Sequence, residues 1–159
     1  MTDRKVDTVQ DTAVIAVDEE YAVQTNEPAR ERILVIKLSA LGDVILAMGP
    51  FAAIRAAHPN AHITVLTTRP YVDLIKASGF FDSIAIDRRP KLTQPREVLA
   101  LRRFLRNGKF DRVYDLQTSD RSGFYYKLFW PGPKPEWSGI ARGCSHPHVN
   151  PDRDNMHSI

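Results

Sequence analysis

Asp43 stands where a chain of this pattern would place its chemistry. It ends the turn Lys37-Leu38-Ser39-Ala40-Leu41-Gly42-Asp43, which follows the apolar run Ile33-Leu34-Val35-Ile36. A carboxylate at a strand-to-helix turn has two uses. It caps the helix by accepting backbone N–H groups of the first turn. Or it faces a cleft and takes the proton of an attacking hydroxyl within hydrogen-bond reach. The turn has one glycine, Gly42. It therefore lacks both the Gly-x-Gly-x-x-Gly of dinucleotide binding and the glycine-lysine loop that cradles phosphates. An acid at the helix start would repel a phosphate, so the turn argues against a nucleotide bound here by a glycine fingerprint.

Other residues near predicted strand ends could bind rather than react. Lys37 is a compact positive charge suited to a phosphate or carboxylate, or else a salt-bridged lysine. Gln117 can hydrogen-bond a polar ligand through its side-chain amide, or stand as a loop-terminal amide. Arg142 can grip an anion with two parallel N–H groups, or lie as an ordinary surface arginine. Arg69, Arg88, Arg89 and Arg121 fall in or near the same loops. The five histidines do not assemble a metal site: His146-Pro147-His148 is a short pair with no matched third ligand. Cys144 has no base nearby in sequence to activate it as a nucleophile. The aromatic cluster Phe124, Tyr125, Tyr126, Phe129 and Trp130 reads as core packing with a partly exposed rim, or as a border for a lipid-linked ligand.

These residues need strands and helices to position them. The run 33–36 is continuous and apolar, as a parallel strand buried on both faces must be. Apolar residues then recur at helical spacing over 44–57, with Gly49-Pro50 predicting a break near Met48. Strands follow at 62–66, 83–86, 112–116 and 136–140. Helices are predicted at 70–77, ended by Gly79, at 95–106, ended by Asn107-Gly108, and at 121–129, ended by Pro131. Alternation of this kind predicts an α/β fold with a Rossmann-like open parallel sheet. In such sheets ligands bind at the carboxyl ends of the strands, where strand order reverses.

Residues 1–31 carry eight acids and three bases, lack an apolar period and read as a disordered tail, with 14–17 as a candidate edge strand. Residues 32–143 read as the folded domain, and 144–159 as a polar, extended connection. The chain beyond residue 31 holds 19 bases against 11 acids, a balance that favours anionic partners. No helix concentrates the bases, so nucleic acid is not the expected partner. One cysteine in 159 residues precludes an intrachain disulfide. The opening residues do not read as a signal peptide, and no run reaches the ~20 apolar residues of a membrane span.

The segment from Ile33 to Ile45, with Leu41-Gly42-Asp43-Val44 at its heart, resembles the opening of the heptosyltransferases, glycosyltransferase family 9. The resemblance continues at Asp115-Leu116-Gln117, Ala141-Arg142-Gly143, Asn150 and His157-Ser158-Ile159. It implies that the chain is the amino-terminal, acceptor-binding half of a GT-B enzyme. Transfer would be inverting and free of metal or other cofactor. The donor would be ADP-heptose or a related nucleotide sugar, and the acceptor a lipid A-core-type, anionic saccharide. Asp43 would be the base, with Lys37, Ser39, Gly42, Gln117 and Arg142 around the substrate. The resemblance also implies a cytoplasmic protein, peripheral to the inner membrane. Because the sequence ends where the donor-binding domain would begin, this chain alone is expected to be inactive. The competing reading is a noncatalytic flavodoxin-like or receiver-like binding module, although Lys37 and Ser39 stand where a receiver needs acids.

Overall fold

The computed structural model describes residues 12–17 and 30–148. Among them seven strands form one sheet, all pairs parallel: β1 (Ala13–Ala16), β2 (Arg32–Ile36), β3 (His62–Thr67), β4 (Ser83–Ile86), β5 (Arg112–Asp115), β6 (Glu136–Gly139) and β7 (His146–Pro147). Their order across the sheet is β1-β4-β3-β2-β5-β6-β7. The helices are α1 (Leu41–Leu46), α2 (Met48–Ala57), α3 (Val72–Ser78, after a 3-10 turn at Arg69–Tyr71), α4 (Pro95–Asn107) and α5 (Asp120–Lys127). The expected α/β, Rossmann-like open parallel sheet is thus observed.

The sheet is covered on both faces, which explains the unbroken apolar run in β2. Leu34 and Ile36 pack with Leu101, Phe104, Leu105, Tyr125 and Trp137. Ile33 and Val35 pack with Val44, Phe51, Ile54 and Ile75. Helices α1 to α3 therefore cover one face, and α4 and α5 the other. Handedness accounts for the division. The path β2-β3-β4 steps outward in one direction, whereas β4 to β5 steps back over two strands. Right-handed crossovers in opposite directions lie on opposite faces. Most of the aromatic cluster is core: Tyr125, Tyr126 and Phe129 are buried, and Trp130 forms the exposed rim.

Several boundaries differ from expectation. The helix predicted from residue 44 starts at Leu41 and divides at Ala47. Pro50 is the third residue of α2 and has no N–H to continue the α1 ladder, so the chain restarts with Phe51 N–H donating to Ala47 O at 2.8 Å. The predicted edge strand is present as β1, which pairs with β4; this part of the acidic segment belongs to the sheet rather than to a disordered tail. The rest of that segment, 1–11 and 18–29, lies outside the described residues, except that 30 and 31 lead into β2. Residues 144–148, expected to begin an extended connection, turn back instead: Cys144 is buried in the core, and β7 pairs with β6. Asn150 and 157–159 lie outside the described residues. No described helix is long and apolar enough to cross a membrane.

Candidate functional site

The strand order reverses between β2 and β5, and the segments leaving their carboxyl ends, 37–43 and 116–119, face each other there. A dense set of hydrogen bonds holds the first of these turns. Lys37 N–H donates to Leu66 O at 3.0 Å, and Leu116 N–H to Ile36 O at 3.1 Å. The Thr68 hydroxyl donates to Leu38 O at 2.7 Å. Gln117 Oε1 accepts two N–H groups, from Leu38 at 2.9 Å and Ser39 at 3.2 Å. The turn is therefore tied to the strands on both sides of β2.

This arrangement refines the role expected for Gln117. Its carbonyl oxygen is spent on the turn, which leaves the side-chain NH₂ as the group able to meet a ligand. Gln117 is in turn set by Asp115, whose Oδ1 accepts the N–H groups of Gln117 at 3.1 Å and Thr118 at 2.9 Å. Sequence reasoning gave Asp115 no role. The available signal was an acid at the carboxyl end of a strand whose other residues are Arg112, Val113 and Tyr114.

Asp43 is half-buried. It is the third residue of α1 and not the N-cap, a position held by Ala40, whose side chain has no acceptor. Asp43 Oδ2 reaches back to Ala40 N–H at 3.4 Å. That is one long contact, at the weak end of hydrogen-bond geometry, so most of the carboxylate's accepting capacity is unspent. A capping role accounts for little of its chemistry.

Lys37 is not a solvent-facing charge. It is 8% exposed, and its Nζ donates to Leu116 O at 3.2 Å. Burial pushes its ammonium below the ordinary lysine range, partly countered by Asp43 and Asp115. It lies beneath the turn, where the charges of Asp43 and Asp115 act on it. The structure brings Lys37, Ser39, Asp43 and Gln117 together at the switch point. Gly42 is exposed there, and a Cβ at this position would meet no atom within 4 Å. The fold itself does not demand glycine at that point, and space is open above it. Arg142 is exposed on the turn after β6, along the same edge but beyond β5.

The carboxyl edge also carries arginines. Arg69 follows β3, and Arg88 and Arg89 follow β4; all three are exposed. Arg121 begins α5 and donates to Pro90 O at 3.1 Å. Beneath them Tyr125 Oη donates to the buried Asp87 Oδ2 in a short contact. Burial raises the Asp87 carboxyl above its ordinary range; Tyr125 and the neighbouring Arg89 and Arg121 offset this only in part. Beside Asp43, Leu41, Ile45 and Leu46 of α1 are 55%, 53% and 73% exposed. The carboxyl edge of the sheet is therefore apolar at α1 and basic after β3 and β4. His146 and His148 contact serine hydroxyls, and no described group of three or more His, Cys, Asp or Glu side chains is placed to hold a metal ion.

No family model and no curated protein matches the chain. Among solved structures it is similar to the glycosyl transferase family 9 protein from Veillonella parvula DSM 2008, with a TM-score of 0.61. The two are 22% identical, over 77% of this chain and 37% of that one. The likeness establishes the fold class. The chain spans little more than a third of that structure's length.

Proposed function

We propose that this chain is the acceptor-binding half of a GT-B glycosyltransferase of the family 9 type, with Asp43 as its general base. The observation that carries the reading is the position of Asp43: a half-buried carboxylate with one weak contact, on a braced turn at the switch point. Open α/β sheets bind ligands at that point. The likeness of fold to the Veillonella parvula protein supports the reading.

The proposed chemistry uses these groups. An acceptor hydroxyl lies within reach of the Asp43 carboxylate, which takes its proton as the oxygen attacks the anomeric carbon of the donor sugar. The bond to the nucleotide diphosphate breaks, and the configuration inverts. Lys37 keeps the base in a balanced electrostatic setting. Ser39, the Gln117 NH₂ and the space over Gly42 receive the sugar. The basic edge, with Arg142 at its far side, suits an anionic acceptor, and the exposed face of α1 suits one carrying lipid. A lipid A-core-type saccharide at the cytoplasmic face of the inner membrane has both properties. The donor, ADP-heptose or a related sugar nucleotide, would be held mainly by a second domain, and this chain alone would bind acceptor without transferring sugar.

Two measurements test this. Calorimetry of the chain should show binding of an anionic glycolipid acceptor and none of an ADP-sugar. In a protein that also carries a donor-binding domain, Asp43→Asn should lower the transfer rate by roughly 10²–10⁴-fold and leave acceptor affinity intact. Near-normal transfer by that variant would remove Asp43 from the mechanism.

A further inference from the structure

A hollow of about 500 Å³ opens at the opposite edge of the sheet, where β5 and β6 begin. The volume is in the range of small-molecule sites. Its floor is the edge of the core at Leu105, Phe110 and Phe129, which are 0%, 7% and 4% exposed, and its walls include Gly132, Pro133 and Pro135. Its rim carries Arg106, Lys109 and Lys134, all three exposed. Two acids also line it, and only Glu136 is paired with a cation. Asp111 Oδ2 accepts Arg32 N–H at 2.8 Å. Glu136 Oε2 accepts from Arg112 Nη2 at 2.6 Å. The three cations, by contrast, have no carboxylate partner among the described residues, and Lys134 Nζ rests 4.5 Å over the Tyr126 ring.

The chain geometry fixes this arrangement. Helix α4 ends here, bringing Arg106 and Lys109 to the rim. The Arg106 guanidinium lies over Gly132, 3.5 Å from where a Cβ would stand. The Phe110 ring fills the space a Cβ on Gly108 would occupy, at 2.3 Å, so only glycine lets that aromatic wall form. An apolar basin whose three rim cations outnumber its two acids, one of them already paired with Arg112, matches one ligand chemistry. The basin removes an aromatic or acyl body from water, and the rim takes its anionic head by charge-assisted hydrogen bonds.

We propose that this hollow is a second binding site, for a small amphipathic anion: a phosphate or carboxylate carried on an apolar body. It lies at the far ends of the strands from Asp43 and is independent of the transferase reading.

The test uses 1-naphthyl phosphate as probe, with inorganic phosphate and 1-naphthol as its separated halves. Binding to the intact chain is followed by calorimetry and by amide chemical shifts. The expected result is saturable binding of the naphthyl phosphate at least tenfold tighter than either half. Binding should weaken with added salt, and the shifts should gather at residues 105–111 and 129–136. The Arg106→Glu/Lys134→Glu variant should lose at least tenfold in affinity while keeping its thermal midpoint within a few degrees. Lys76→Glu, an exposed change on α3, should bind as the parent does. Unchanged affinity in the double variant, either half binding as tightly as the whole, no saturable binding, or shifts centred on 37–43 and 116–119 would each overturn the proposal.

Discussion

Two N–H groups of the switch-point turn depend on a single side-chain oxygen. Gln117 Oε1 satisfies two adjacent N–H groups, those of Leu38 and Ser39, which belong to no strand ladder. Without it both donors lose their partner in a partly buried place, at about 1–3 kcal/mol for a lost acceptor. Gln117→Leu is therefore expected to lower the unfolding free energy by about that amount. Gln117→Glu, which keeps an accepting oxygen, should recover most of the loss. Urea titration of the two variants checks this; an unchanged midpoint for Gln117→Leu would mean that water replaces the side chain and the brace is unimportant. The same residue shows how chemistry and architecture share one group. Its oxygen shapes the turn that carries Asp43, and only its NH₂ remains for a ligand.

At the scale of elements, the fit of β6 against β5 places Asp115. A Cβ on Gly139 would stand 2.8 Å from Asp115 Cβ, 2.8 Å from Trp137 Nε1 and 3.0 Å from Asp115 Oδ2. None of these is the loose end of a flexible chain. Gly139→Ala should therefore overpack the site and cost about 1–3 kcal/mol, lowering the thermal midpoint measured by circular dichroism. A midpoint equal to that of the parent would show that β6 can move away without loss. Helix α5 is anchored more conventionally. Ser119 Oγ accepts Ser122 N–H at 3.3 Å, and Ser122 Oγ accepts Ser119 N–H at 3.0 Å, a reciprocal cap at its start.

Across the whole molecule, buried carboxyls set the pH response. Burial raises Asp115 above its ordinary range, and the Thr118 N–H, the Ser122 hydroxyl, the Gln117 N–H and His148 pull it back only in part. Asp87 is raised in the same way. Groups raised on folding favour the native state most below their unfolded value, and that contribution is lost as pH rises through the folded one. Asp82 runs the other way. Burial alone would raise it, but the Ile63 N–H and the Arg55 guanidinium lower it overall. Its contribution is present above the ordinary aspartate range and is lost as pH falls through its lowered value. Asp115→Asn removes one of the raised groups. Relative to the parent, that variant should be more stable at about pH 7 than at about pH 3.5. Urea unfolding at both pH values decides it; an identical difference at both would mean that Asp115 does not titrate with folding.

The linear order of residues was sufficient for the alternation of strands and helices, because buried strands need unbroken apolar runs and covering helices need apolar residues three and four apart. It also marked Asp43, as an acid at the first strand-to-helix turn. It did not say that α1 starts at Leu41, which makes Asp43 the third helical residue rather than the cap. It did not say that Lys37 is buried beneath that turn, or that Gln117 spends its oxygen on backbone N–H groups. Nor did it join β7 to the sheet or say that β1 pairs with β4: each is short, and its pairing partner lies on another strand. These facts come from contacts between residues such as Leu38 and Gln117, 79 positions apart. Local pattern encodes which face of an element is apolar. Which polar atoms meet once those faces have packed is decided by the way the strands are ordered in space.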